Sequence, residues 1–162
     1  MKRFHMRRAD KEITDADALT RVMKSAQFVT LAMAKDNQPY LVSLSHGYDE
    51  ERNCVYFHCA DEGKKLDYLE ANGAVWGQAI IDRGYAQSQC THLYASVHFS
   101  GKVTMLSDIA EKRAALECMI RQLDNDPEKL IAQLDDGRVK KTVVGRIDVD
   151  YMSGKKSKEI EV

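Results

Sequence analysis

Apolar positions along the chain change period several times, and each change marks an element. Leu19, Val22 and Met23 recur at helical spacing behind Thr14-Asp15-Ala16-Asp17, where Thr14 supplies an N-cap and the acidic residues suit a first turn. From Gln27 the spacing drops to two: Phe28 to Met33 predicts a strand, Asp36-Asn37-Gln38 a turn, and Tyr40 to Tyr48 a second strand. Tyr40, Val42, Leu44, His46 and Tyr48 fall on one face of that strand. Leu41, Ser43, Ser45 and Gly47 fall on the other, a small, polar surface that a flat ligand can approach closely. After a turn at Asp49 to Asn53, the aromatic run Val55-Tyr56-Phe57 forms a third strand carrying His58. At Asp61 it hands over to a helix with Leu66 and Leu69 in step and Asn72-Gly73 as its stop.

Ala74 to Ile81 predicts a buried strand and residues 82 to 91 a polar loop. In the next strand Val97, Phe99, Gly101, Val103 and Met105 alternate with Ser96, His98, Ser100, Lys102 and Thr104, one face dry and one wet. Ser107-Asp108 opens a helix with Ile109, Leu116, Ile120 and Leu123 on one stripe. Asn125-Asp126-Pro127 breaks it, and a short second helix runs to about Leu134. Asp136-Gly137 turns the chain into a last strand, with Val143, Gly145, Ile147, Val149 and Tyr151 on one face and Val144, Arg146, Asp148 and Asp150 on the other; Ser153-Gly154-Lys155-Lys156 ends it. Six or more strands with helices inserted imply an α+β fold, and so many half-polar strands suggest a sheet curled into a small barrel.

At 162 residues the chain has room for one domain. Residues 1 to 12 are polar and basic and read as an N-terminal arm, and residues 13 to 162 as the domain. A net charge of -1 provides no field to recruit nucleic acid. No stretch approaches the roughly 20 apolar residues of a membrane span, and the basic N-terminus lacks an apolar signal region, so a cytoplasmic protein is expected. Cys54, Cys59, Cys90 and Cys118 include no CxxC pair, and His58 and Cys59, as strand neighbours, point to opposite faces; no metal site is expected.

The chemistry-bearing stretch is the junction of the third strand with its helix. Unpaired N–H groups at a helix start favour an anion, and Gly63-Lys64-Lys65 adds an unhindered backbone and two ammonium groups there, so a phosphate is the expected guest. Surface lysines that merely solvate a first turn are the alternative. His58 precedes this site by five residues and can extend it, whereas His46, on an apolar strand face, reads as a hydrogen-bonded core histidine. His5 reads as tail and His92 as loop. No GxSxG elbow, carboxylate pair or GxGxxG fingerprint is present, so any chemistry comes from a cofactor held by another architecture.

Taken in order, Tyr40-Leu-Val-Ser, Val55-Tyr-Phe-His58, Gly63-Lys64-Lys65 with Leu69 and Asn72, Tyr94-Ala-Ser-Val97 with Gly101, and Ser153-Gly-Lys155 resemble the pyridoxamine 5′-phosphate oxidase-like FMN-binding split barrels. Within these the chain is most similar to the nitroimidazole-resistance proteins, from about Arg7 to Lys156. The resemblance implies an antiparallel split β-barrel with flanking helices, an α+β fold that dimerises and holds FMN in grooves between subunits. It implies Lys65 as the phosphate lysine with Lys64 beside it, Val42 and Ser43 as backbone flanking the isoalloxazine ring, His58 beside the flavin as the catalytic candidate, and Ser96 lining the same groove. Ala95 stands where some relatives carry an arginine, and the arginine and histidine set of true pyridoxamine-phosphate oxidases is missing. The implied activity is an FMN-dependent reductase of nitroaromatic, 5-nitroimidazole-like or similar small oxidants, fed by an unidentified electron donor. The alternatives are a non-enzymatic flavin or haem carrier and a B6-phosphate binding protein. A homodimer is expected, because a small barrel leaves apolar surface, such as the face of Tyr40, Val42 and Leu44 or its neighbours, in need of a partner.

Overall fold

A computed structural model of the chain describes residues 6–162; Lys2, Arg3 and His5 of the arm lie outside the described residues. The strands, in chain order, are Glu12–Ile13 (β1), Val29–Lys35 (β2), Gln38–Leu44 (β3), Gly47–Asp49 (β4), Cys54–Cys59 (β5), Ala74–Ala86 (β6), Thr91–Met105 (β7) and Val143–Lys156 (β8). The helices are Ala16–Ser25 (α1), Lys64–Ala71 (α2), Ile109–Leu123 (α3), Pro127–Ile131 (α4) and Asp136–Lys141 (α5). The strands form one antiparallel sheet in the order β3-β2-β6-β7-β8-β5-β4, with β1 added on β8.

The sheet curls around a core in which Val29, Leu31, Phe57, Val97, Phe99 and Ile147 are wholly buried, with Val22 and Met23 of α1 packed among them. A second cluster lies on the opposite face of β5 and β8, where Cys54, Tyr56 and Val144 meet Leu116 and Met119 of α3 and Val139 of α5. Strand β5 is therefore covered on both faces, which explains its unbroken apolar run. Gly145 on β8 is a requirement of this packing, since a Cβ there would overlap the ring of Phe57 on β5.

The observed strands depart from the sequence expectation where long-range pairing overrides local pattern. The predicted strand from Tyr40 to Tyr48 is two strands: β3 pairs with β2, the chain breaks at Ser45 and His46, and β4 pairs instead with β5. Gly47 is not on an open ligand-facing surface, because it is pressed against α3, where a Cβ would stand 2.8 Å from the Met119 backbone nitrogen. The expected loop over residues 82 to 91 is mostly hairpin, with β6 and β7 pairing out to Ala86 and Thr91 across a bulge between Asp82 and Tyr85. Asp136-Gly137 opens α5 rather than a simple turn, with Asp135 as N-cap accepting from the Arg138 N–H at 2.9 Å. Helix α1 is likewise capped by Asp15, not Thr14, the carboxylate suiting the positive end of the helix better than a hydroxyl. In β8 a bulge between its partners Ser100 and Gly101 moves Tyr151 to the outer face, against Trp76 at 5.9 Å between centroids. The strand then continues through Gly154 to Lys156, and β1 pairs with it there, so the end of the arm belongs to the sheet.

His46 is the buried core histidine that its strand face suggests. Its Nε2–H donates to the Met23 carbonyl at 2.8 Å, the Gln122 amide sits 3.1 Å from the same nitrogen, and Nδ1 has no partner among the described residues. Burial holds its pKa below the ordinary 6.5. The unfolded chain takes up a proton as pH falls through 6.5 and the folded one does not, so this contribution to stability is complete above 6.5 and is lost on acidification. One such proton changes the unfolding free energy by up to about 1.4 kcal/mol per pH unit. His46→Gln, which keeps a donor for Met23, should flatten the acid side of the stability profile in urea titrations between about pH 5 and 7.5.

Candidate functional site

Two backbone edges are left open by the sheet order. Strand β3 is terminal, and β5 is paired on its β4 side only over Cys54 to Tyr56, so Phe57, His58 and Cys59 have no strand neighbour there. Helix α2 begins at this split. Its N-cap, Gly63, holds φ at 124°, a conformation that residues with a side chain rarely adopt, and no side chain caps the first turn.

The first two helical residues seat on either lip of the split. Lys64 Nζ lies 4.6 Å from the ring centroid of Tyr40 on β3 and 5.4 Å from that of Tyr68, one helical turn on; the two tyrosine rings meet at 5.2 Å. Lys65 Nζ lies 5.9 Å from the ring centroid of Phe57 on β5. Among the described residues neither lysine forms an ion pair. Two ammonium groups are thus held on aromatic faces, beside uncapped backbone N–H groups, with no carboxylate to neutralise them. Sequence reasoning found the lysines and missed their aromatic seats, although Tyr68, four residues after Lys64, is a legible helical neighbour.

The remaining predicted residues sort by strand pleat. Val42 is half-buried and turns inward with Tyr40 and Leu44 against the core, so the apolar face expected to need a partner is partly covered within the chain. Ser43 points outward, its hydroxyl 2.9 Å from that of Thr30. His58 is exposed and lies on the α3 side of β5, opposite in pleat to Phe57, at the mouth of a cavity of about 340 Å³ shared with Ser45 and Arg138. Ser96 is buried on the outer face of β7, its hydroxyl 3.5 Å from the Lys155 carbonyl oxygen, and one chain does not bring it to the lysines. In the helical cluster, burial raises the pKa of the Cys54 thiol and pushes that of Cys118 up to about 11, which disfavours the thiolate of both. Among the described residues no group of three His, Cys, Asp or Glu side chains is placed to hold a metal ion, and no helix is long and apolar enough to cross a membrane.

The model of the pyridoxamine 5′-phosphate oxidase family matches residues 15–156. The chain belongs to that family. Solved structures agree with the family fold. A candidate 5-nitroimidazole antibiotic resistance protein from Bacteroides thetaiotaomicron is 26% identical, with a TM-score of 0.76 over 89% of this chain and 85% of the other. A FAD-binding protein from Mesorhizobium loti is 25% identical, with a TM-score of 0.63 over 88% and 95%. The flavocytochrome of Azotobacter vinelandii, at 15% identity, has a TM-score of 0.78 over 98% of this chain and 74% of its own. No curated protein matches the sequence. In this pyridoxamine 5′-phosphate oxidase family member the split, the lysine pair and His58 all lie within the matched segment.

Proposed function

We propose that the protein is an FMN-binding flavoprotein that reduces nitroaromatic or similar small oxidants, working as a homodimer. The observation that carries this reading is the pair of unneutralised lysines seated on Tyr40 and Phe57 at the open end of the split. The residues fit the group: a phosphate meets Lys64, Lys65 and the first-turn N–H groups, and the free edges at Val42-Ser43 and Phe57 to Cys59 offer backbone for a flat ring. When bound, the flavin supplies the redox chemistry. The chain's own part is to hold the phosphate, cover the ring and present His58 as a hydrogen-bond donor towards substrate. The names of the relatives, a nitroimidazole-resistance candidate and a FAD-binding protein, support a flavin as the guest.

The dimer reading rests on the outer face of the sheet. Leu41, Ala32 and Trp76 are paired in register across β3, β2 and β6, and Ser100 and Tyr151 continue the row on β7 and β8. Leu41 is 64% exposed and Trp76 39%, so two large apolar side chains lie uncovered on this face of one chain. Ser96 stands on this same face. A second copy docked there provides the route by which it reaches a cofactor.

Purified protein incubated with FMN should show the visible bands of a bound flavin, and light scattering should give twice the chain mass. A haem spectrum, or no chromophore after incubation with FMN, would replace the flavin reading with a carrier or an empty fold. His58→Gln should retain FMN yet slow reduction of a nitroaromatic acceptor by about tenfold or more, in the range expected for a lost catalytic donor. Wild-type rates in that variant would return His58 to a structural role.

A further inference from the structure

The cavity beside His58 has a chemistry of its own. Leu116, Ile120 and Leu123, spaced four and three residues apart, turn one stripe of α3 into its wall, and Leu130 of α4 closes the opposite side. Leu123 and Leu130 each remain 39% exposed, so the two helices hold apolar surface open instead of collapsing on it. The volume, about 340 Å³, lies at the small end of ligand pockets, which run from about 300 to 1,000 Å³.

Polar groups on this cavity are few and nearly all can donate. Arg138 pairs with Asp135, with Nε 3.6 Å from the carboxylate, and its guanidinium donates no hydrogen bond among the described residues. Gln133, Ser45 and His58 offer further N–H and O–H groups. The formal charges are one cation, Arg138, and one anion, Asp124, so the lining is neutral overall. A carboxylate or phosphate would gain Arg138 but face Asp124 and Asp135 within a leucine-walled site, whereas an uncharged body with acceptor oxygens satisfies the donors and desolvates no net charge. A rigid ring also loses less freedom on burial than a flexible chain.

Arg138 and His58 both line the cavity. Arg138 lies on α5, which leads into β8, where Val143 and Val144 pair with Cys59 and His58. The lysine cradle lies on the other side of the β5 pleat. We infer that this cavity binds uncharged carbonyl compounds of one or two rings, quinone-like in size and polarity, with their oxygens towards His58 and Arg138. The inference rests on the proposed function only in placing such a compound as the oxidant; the binding itself needs no flavin.

The test is equilibrium dialysis of the full chain, with and without FMN, against 2-methyl-1,4-naphthoquinone and its charged counterpart 1,4-naphthoquinone-2-sulfonate. The neutral quinone should bind at least about tenfold more tightly than the sulfonate, and Leu130→Trp, which fills the mouth from an exposed position, should weaken it about tenfold or more. Leu123→Trp provides the same test from α3, and Arg138→Gln should cost about threefold to tenfold, a lost neutral-acceptor hydrogen bond. FMN affinity should stay within about twofold in all three variants, because none touches the lysine cradle. Equal binding of the two probes, or quinone binding untouched by both tryptophan variants, would overturn the inference, as would tryptophan variants that change the oligomeric mass and leave quinone binding alone. Quinone binding without FMN binding would overturn the flavin reading and leave this one standing.

Discussion

Lys65→Ala should weaken FMN about ten- to hundredfold and leave riboflavin nearly unaffected, the signature of a lost phosphate contact worth about 1.5 to 3 kcal/mol. The expectation follows from where the ammonium group sits. Lys65 has no ion pair among the described residues, and its charge rests on the ring of Phe57 at the start of an eight-residue helix. An anion placed there meets the lysine and the first-turn N–H groups together. Lys64, which also leans on two tyrosine rings, is held by contacts that survive without a ligand, so Lys64→Ala should show the same selectivity with a smaller loss. Fluorescence titrations of both ligands at fixed ionic strength decide the matter, and equal losses for FMN and riboflavin would place Lys65 outside the phosphate site.

Phe57→Ala should destabilise the fold by about 3 to 5 kcal/mol, the usual loss when a fully buried phenyl ring is deleted. Phe57 is 0% exposed and fills the space left by Gly145 on the neighbouring strand, so nothing nearby can move in without bending β8. The same ring seats Lys65. Phe57→Leu retains much of the buried volume while removing the aromatic face, and it should therefore lose less stability yet still weaken FMN. Urea unfolding at one protomer concentration, with unchanged slope, measures the first effect without interference from association. A loss below about 1 kcal/mol for Phe57→Ala would mean that the ring is not a core element of this barrel.

The local elements of this protein were legible because each rests on short-range physics. The helix from Ile109 shows its stripe and its Asp108 cap in the sequence, and the junction from Val55 through Gly63 to Leu69 shows a strand giving way to a helix with lysines in its first turn. Alternation along Val97 to Val103 likewise marks a strand with its apolar face in the core, although Ser100 on the polar face is buried as well. Most of what failed depends on a distant neighbour; the Asp15 and Asp135 caps are local and are the exceptions. Nothing in Tyr40 to Tyr48 signals that β4 pairs with β5 and not with β2, because that choice involves partners far along the chain, such as α3, on whose Met119 Gly47 packs. Nothing in Asp150-Tyr151 signals a bulge, because a bulge is a mismatch between two ladders. The residues of the candidate site divide in the same way. Sequence alone determined that Lys64 and Lys65 begin a helix after a strand, and that His58 lies at that strand's end. Only the tertiary structure decided that Tyr40, Tyr68 and Phe57 seat the two ammonium groups, that His58 faces a leucine-walled cavity on the other side of the pleat, and that Ser96 is buried on its polar strand face. Side-chain direction in a sheet alternates with every residue, so which ligand a residue can meet is settled by the register of its neighbours and by what packs on each face.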